Sequence, residues 1–182
     1  NDSSVSITKP SELAKELFTH RGSGTLVRKG KRIQSATSWS AINKHKLLGL
    51  LESGFSKKIL PGYFRDNKPS KIYYSEDYRA ALVLLKVNGA SYLDKFAVAE
   101  DAQGEGLGSA AWNVMRNENP KLFWRSRRSN PINEFYMQAC DGCIKFPQWT
   151  VFWFGLDGME EIQAAVAYCL DRPASFHEDS SQ

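Results

Sequence analysis

The sequence is poor in the features that mark a membrane protein, a disulfide scaffold or a nucleic-acid binder. No apolar run approaches the roughly 20 residues that span a bilayer, and the first residues lack the basic-then-apolar layout of a signal peptide. Cysteine occurs three times, at Cys140, Cys143 and Cys169. So small and odd a number fits a reducing compartment, so the cytoplasm of a bacterium or the mitochondrial matrix of a eukaryote is expected. Cys140-Asp-Gly-Cys143 has a C-x-x-C spacing, but no second cysteine pair and no nearby histidine complete a four-ligand set. It reads as an ordinary turn, and no metal is expected. His20, His45 and His177 are scattered and read as surface residues. There is no basic block: 24 Lys and Arg stand against 20 Asp and Glu, a net charge of +4. That mild excess suits a small anionic ligand and argues against nucleic acid. No internal repeat is visible, and no Gly-Lys-Ser/Thr follows the glycine-rich turn, which excludes a P-loop.

What is present reads as one domain with a sizeable core, 182 residues of which 42% are apolar. Asn1 to Pro10 is polar, and Ser11 then suits an N-cap before an apolar turn at Leu13, Leu17 and Phe18. Thr25 to Ser35 reads as a strand or hairpin. A helix is expected from Ser40, with Ile42, Leu47, Leu48 and Leu51 apolar and Gly54 as its stop. Strands follow at Lys71 to Ser75, Arg79 to Val87 and Tyr92 to Ala99, the first two joined by a turn at Glu76-Asp77. Leu107 to Asn119 is the clearest helix, with Leu107, Ala110, Ala111, Val114 and Met115 on one face and Pro120 behind it. Leu122 to Arg127 reads as a strand, Ile132 to Ala139 as a short helix, and Trp149 to Leu156 as a buried aromatic strand. The last helix runs from Met159 to Leu170 with Ile162, Val166, Cys169 and Leu170 inward, and a frayed polar tail follows Pro173. The order is mixed α and β.

The most informative stretch is Phe96-Ala-Val-Ala-Glu-Asp-Ala-Gln-Gly-Glu-Gly-Leu-Gly108. A strand ends, a glycine-rich turn follows and the clearest helix begins. Glycines let the backbone approach a ligand, and the unsatisfied N–H groups of the first helical turn, aided by the helix dipole, bind anions. A phosphate or pyrophosphate is the natural guest. The third glycine comes one residue too early for the dinucleotide fingerprint. A second stretch, Leu122-Phe-Trp-Arg-Ser-Arg-Arg-Ser-Asn-Pro-Ile-Asn-Glu-Phe-Tyr136, places Arg125 and Arg127 on the same side of a strand, where two guanidiniums can clamp a carboxylate. Asn130 and Asn133 flank Pro131 in a turn that opens a helix carrying Tyr136.

Gln103, Gly106 and Gly108 fit Gln/Arg-x-x-Gly-x-Gly/Ala, which resembles the pyrophosphate motif of the GNAT acetyltransferases. With Tyr92-Leu-Asp-Lys-Phe, Phe-Trp-Arg-Ser-Arg, Asn-Pro-Ile-Asn, Asp141-Gly and Phe152-Trp-Phe-Gly-Leu156, the stretch from Glu12 to Asp171 resembles the acetyltransferase domain of vertebrate-like N-acetylglutamate synthases. Asn113-Val-Met-Arg116 and Asp141-Gly-Cys-Ile-Lys145 are more similar to the bacterial bifunctional synthase/kinases.

The resemblance implies an α+β GNAT fold, with a mixed, mostly antiparallel central sheet and helices on both faces. It implies that the strands near Tyr92–Ala99 and Leu122–Arg127 splay apart to admit acetyl-CoA. Its implied acetyl-CoA contacts are Ala97, Val98, Gln103, Gly104, Gly106, Leu107 and Gly108. The implied L-glutamate contacts are Lys57, the backbone near Phe96, Arg125, Arg127 and Asn130. Tyr136 matches the tyrosine beside the CoA sulfur, and Asn130 is grouped with it in catalysis. Cys140 stands where the family more often has serine. Residues 1–24 become a junction toward an absent amino-acid-kinase domain, 25–172 the acetyltransferase domain and 173–182 a tail. A homo-oligomer is implied for the full-length protein, with a role in arginine biosynthesis or in making the urea-cycle cofactor.

The chemistry needs a neutral amine to attack a thioester. Positioning, a backbone N–H near Phe96–Val98 and proton donation by Tyr136 would serve it, while no residue stands out as general base. Two other readings keep the fold: a regulatory domain of a kinase without turnover, and an enzyme that acetylates a protein N-terminus or lysine. The retained motifs argue against the first, and the Lys57/Arg125/Arg127 cluster against the second.

Overall fold

The computed structural model describes the backbone of residues 5–7 and 25–27 and all of residues 32–177. The expected N-cap at Ser11, its apolar turn and the end of the tail lie outside the described residues. Strands β1 (Val5–Ile7) and β2 (Thr25–Val27) form a two-stranded antiparallel pair. The main sheet has seven strands: β3 (Ile33–Ala36), β4 (Lys71–Ser75), β5 (Ala80–Val87), β6 (Ala90–Val98), β7 (Leu122–Arg127), β8 (Gly142–Lys145) and β9 (Trp149–Phe154). Their spatial order is β3-β4-β5-β6-β7-β9-β8. Every neighbouring pair is antiparallel except β6 and β7.

Helices α1 (Lys44–Phe55), α3 (Leu107–Glu118), α4 (Asn133–Ala139) and α5 (Met159–Asp171) cover the two faces, and α2 (Tyr63–Asp66) is a single turn. Under α3 and α4 lie Leu82, Leu84, Leu93, Leu122, Trp124 and Phe152. Against α1 on the other face lie Ile72, Ala81, Val83 and Ala97, and beside them Tyr92, Phe123 and Val151 meet α5. Period-two alternation along β5 explains the division: Ala80, Leu82 and Leu84 turn one way, Ala81, Val83 and Leu85 the other.

Some expected details change. Helix α1 starts at Lys44 because the Asn43 side chain, rather than Ser40, accepts the Lys46 N–H at 3.0 Å. It ends at Ser56, whose φ of +52° makes the left-handed cap. Gly54 sits inside the helix, where an added Cβ would stand 3.2 Å from that of Ala97, so its role is close approach to β6. In α3 the buried residues include Trp112, while Ala110 is exposed. In α5 Ala165 and Cys169 turn inward and Leu170 outward. The segment after Pro173, expected to fray, is through His177 a strap laid against the chain that follows α1. The Ile59–Phe176 bridge, the Leu60 N–H on the Ser175 carbonyl (3.0 Å) and the His177 N–H on the Lys58 carbonyl (2.9 Å) hold it, with Phe176 packed on Phe55.

Candidate functional site

Two residue pairs join β6 to β7, Ser91 with Leu122 and Tyr92 with Phe123. Beyond Tyr92 the strands part. β7 continues against β9 and β6 against β5, which leaves the β7-facing side of Leu93–Val98 without a strand partner. The Ala99 N–H donates to the Arg79 carbonyl at 2.7 Å, on the β5 side. Amide direction alternates along a strand, so the N–H groups of Val98 and Phe96 open into the wedge. The wedge is the splay expected from the sequence.

At the open end of β6 lies the glycine-rich turn. Gly104 (φ +80°) and Gly106 (φ +75°) adopt left-handed backbone that favours glycine, and Gly106 is the N-cap of α3 with no side-chain cap. The first-turn amides of Leu107 and Gly108 therefore lack intrahelical acceptors and face the turn. Gly108 has a packing reason as well: a Cβ there would stand 2.8 Å from Val98 Cγ2, so glycine lets the helix start close against β6. Two carboxylates in the turn would repel an anion, but Arg79 holds both. Its guanidinium donates to Glu105 at 3.0 and 3.2 Å and to Asp101 Oδ1 at 3.3 Å. Gln103, in the same turn, is exposed, and a glycine-rich turn at a helix start suits an anionic group.

Tyr136 on α4 lies on the same face, packed among Trp112, Trp124, Phe135 and Phe152. Burial raises its phenol above the ordinary range, so it keeps its proton at neutral pH. Its hydroxyl takes no hydrogen bond from or to another described residue. Asn130 shapes the turn before α4: its Oδ1 accepts the Ile132 N–H at 3.2 Å and its carbonyl accepts the Asn133 N–H at 3.1 Å.

The cationic residues lie on the opposite face. Arg125 and Arg127 stand together, each guanidinium 4.1 Å from the centre of the Trp149 ring. Their surroundings differ. Arg125 donates to the carbonyls of Cys169, Arg172 and Pro173, which caps α5 and ties it to the sheet. Arg127 is exposed and donates to Gln148 Oε1 at 3.4 Å. Lys57 follows α1 on a different flank of this face, beside the strap.

Between those flanks is a charged cluster absent from the expected set. Register along β5 passes from Val83 opposite Lys95 to Leu84 opposite Leu93, so Asp94 is the extra residue of a bulge. A bulge lets neighbouring side chains share a face, and those of Asp94 and Lys95 are 1% and 4% exposed. Asp94 accepts from Lys95 Nζ (2.8 Å), Tyr63 Oη (2.6 Å), Arg172 Nε (2.9 Å) and Arg172 Nη2 (2.6 Å). Burial alone would raise its carboxyl, but the Lys95 ammonium and Arg172 guanidinium outweigh burial and hold it down to about 2. Burial lowers Lys95, with Asp94 opposing.

Residues 34–172 match the N-acetyltransferase domain of N-acetylglutamate synthase. The chain belongs to this family. Within the family it is 55% identical over 176 residues to an acetylglutamate kinase of Xanthomonas campestris, covering 94% of this chain and 41% of that protein. It is 38% identical over 184 residues to human mitochondrial N-acetylglutamate synthase, covering 98% of this chain and 34% of the human one. The chain thus spans between one third and about two fifths of the length of these curated relatives. The fold is GNAT: the ribosomal-protein-S18-alanine N-acetyltransferase of Escherichia coli superposes with a TM-score of 0.53 at 12% identity, over 70% of this chain and 97% of that one.

Against this family background, the cofactor-side residues expected from the sequence assemble around one wedge and one turn. The acceptor-side residues split into the Arg125/Arg127/Trp149 stack and the Lys57 flank. Sequence reasoning passed over Asp94, Lys95, Arg172 and Ser175. Only the Leu-Asp-Lys-Phe motif hinted at the first two.

Proposed function

We propose that this domain transfers the acetyl group of acetyl-CoA to the α-amino group of L-glutamate by direct attack in a ternary complex. The observation that carries the reading is the parting of β6 from β7 after two residue pairs. It opens a slot between a phosphate-suited face and a cationic face. Acetyl-CoA brings an activated acyl thioester, and the chain's residues do the rest. Gly104, Gly106 and the amides of Leu107 and Gly108 hold the pyrophosphate, flanked by Gln103. Ala97 and Val98 line the strand edge, and the amides of Phe96 and Val98 are placed to polarise the thioester oxygen.

On the other face Arg127 and Lys57 offer charges to the two carboxylates of glutamate, and Lys95 adds a third cation within the same face. Arg125 positions α5 and stacks beside Arg127. Asn130 fixes the turn between Arg127 and Tyr136. As the amine nitrogen bonds to the acyl carbon, the carbon–sulfur bond breaks, the nitrogen releases a proton to water, and the departing sulfur takes up one proton, so that CoA leaves as the thiol. Tyr136 supplies a hydrogen bond or proton to that sulfur. Its raised phenol makes it a weak acid but a reliably protonated donor. The remainder of the longer protein is read as an amino-acid-kinase domain, and the full-length protein as a homo-oligomer in a reducing cytoplasm, which suits the three free thiols.

The test is thiol release from acetyl-CoA with a panel of free amino acids and a lysine-bearing peptide. Glutamate-selective turnover is expected. CoA binding with no turnover on any amino acid would favour the regulatory reading, and turnover on the peptide alone would favour a protein acetylase.

A further inference from the structure

Lys95 is the most enclosed cation of the acceptor face, and its three protons are all engaged. Its ammonium donates to the Asp94 carbonyl at 3.2 Å, to Asp94 Oδ2 at 2.8 Å and to Ser175 Oγ at 2.7 Å. The rings of Tyr63 and Phe176 lie 5.0 and 5.3 Å from the nitrogen. For Lys95 to meet a substrate carboxylate, one of its acceptors must yield. The two on Asp94 cannot do so easily. One is backbone of the sheet, and the other belongs to a carboxylate fixed by Arg172 and Tyr63. Ser175 differs in each respect. It is a neutral hydroxyl, a poorer partner for an ammonium than a carboxylate. It lies on the strap, beyond the last helix and outside residues 34–172 that match the family. Neighbouring Phe176 anchors that strap on Phe55, so Ser175 can turn away while its neighbour stays packed.

We propose that Ser175 is a place-holder in the acceptor site: its hydroxyl occupies, on Lys95, the position that a carboxylate oxygen of the substrate takes. Rotation of this one side chain exchanges a neutral oxygen for an anionic one without leaving the buried ammonium unpaired. The strap is then a wall of the site, and Ser175 tunes affinity for the acid. The inference rests on glutamate being the acceptor.

The test compares Ser175→Ala, Ser175→Thr and Ser175→Asp with the unmodified protein, measuring kcat and the KM for glutamate and for acetyl-CoA. Glutamate-selective turnover by the unmodified protein must come first, and its absence would sink the glutamate reading itself rather than the role of Ser175. Removing the competing hydroxyl in Ser175→Ala should lower the glutamate KM about three- to ten-fold, the worth of one hydrogen bond. Ser175→Thr, which keeps the hydroxyl, should return it toward the original value. Ser175→Asp puts an internal carboxylate on Lys95 and should raise the glutamate KM at least as far. The acetyl-CoA KM should stay constant throughout. A merely structural role for Ser175 would raise the glutamate KM in Ser175→Ala or leave it unchanged with a lower melting temperature, and either result overturns the proposal.

Discussion

Replacing Asp94 with asparagine removes the carboxylate that faces both Lys95 and Arg172. Asparagine keeps the shape and one oxygen acceptor, so the loss is mainly charge. Breaking a buried ion pair from one side typically costs about 3–5 kcal/mol because the partner charges stay buried. Two cations are left here, but Arg172 is less enclosed, at 13% side-chain exposure, which points to the lower end, about 3 kcal/mol. For a domain of this size that lowers the melting temperature by roughly 6–12 °C. The acid limb gives a second reading. Asp94 is held down to about 2 in the folded protein. Because its folded value is depressed, its stabilisation is complete above the ordinary carboxylate range and is lost as pH falls from about 4 toward 2. That span is worth about 2 kcal/mol. Urea unfolding followed by tryptophan fluorescence, at pH 7 and stepwise to pH 3, measures both. The gap between the two proteins should be wide at pH 7 and narrow as the solution is acidified below pH 4. A variant within about 1 kcal/mol of the parent at pH 7, or a gap that does not change with acid, would refute the reasoning.

Gly106→Val places a branched side chain at a φ of +75° in the phosphate-suited turn; it should abolish CoA binding in titration calorimetry while circular dichroism stays native, and normal binding would remove the turn from the site. Arg127→Ala should raise the glutamate KM about ten- to a hundred-fold, as expected for a charge-assisted contact, and that for acetyl-CoA far less; equal effects on both would end its assigned role. Tyr136→Phe should lower kcat about a hundred-fold with unchanged melting temperature, because the deleted hydroxyl has no partner among the described residues; an unaltered kcat would leave Tyr136 as core alone.

Much of this architecture was legible in the sequence because its signals are local. Strands β4 and β7 begin and end where alternation and turn residues put them, and α3 carries its apolar face between a glycine turn and Pro120. Strand β8 escaped notice: four residues, half of them exposed, on the outer edge of the sheet give no periodic pattern. The Asp94–Lys95 cluster escaped for a different reason. In a regular strand adjacent residues point to opposite faces, so the pair reads as one buried and one exposed residue. A bulge, set by pairing with β5 some ten residues away in sequence, puts both side chains in the interior. The role of Arg125 was hidden similarly, since its carbonyl partners lie more than forty residues downstream.

The central sheet is a partition with a single slit. On the proposed reading, a nucleotide-bearing ligand and an amino acid are each held on their own side and touch only where β6 and β7 diverge. Binding of one then need not exclude the other, and the proposed direct attack needs no covalent carrier on the protein. Change in the two chambers is also decoupled. On that reading, substitutions around α1, α5 and the strap would alter which acid is accepted while the surface under α3 and α4 went on gripping the same donor, so a lineage could change its acceptor one wall at a time.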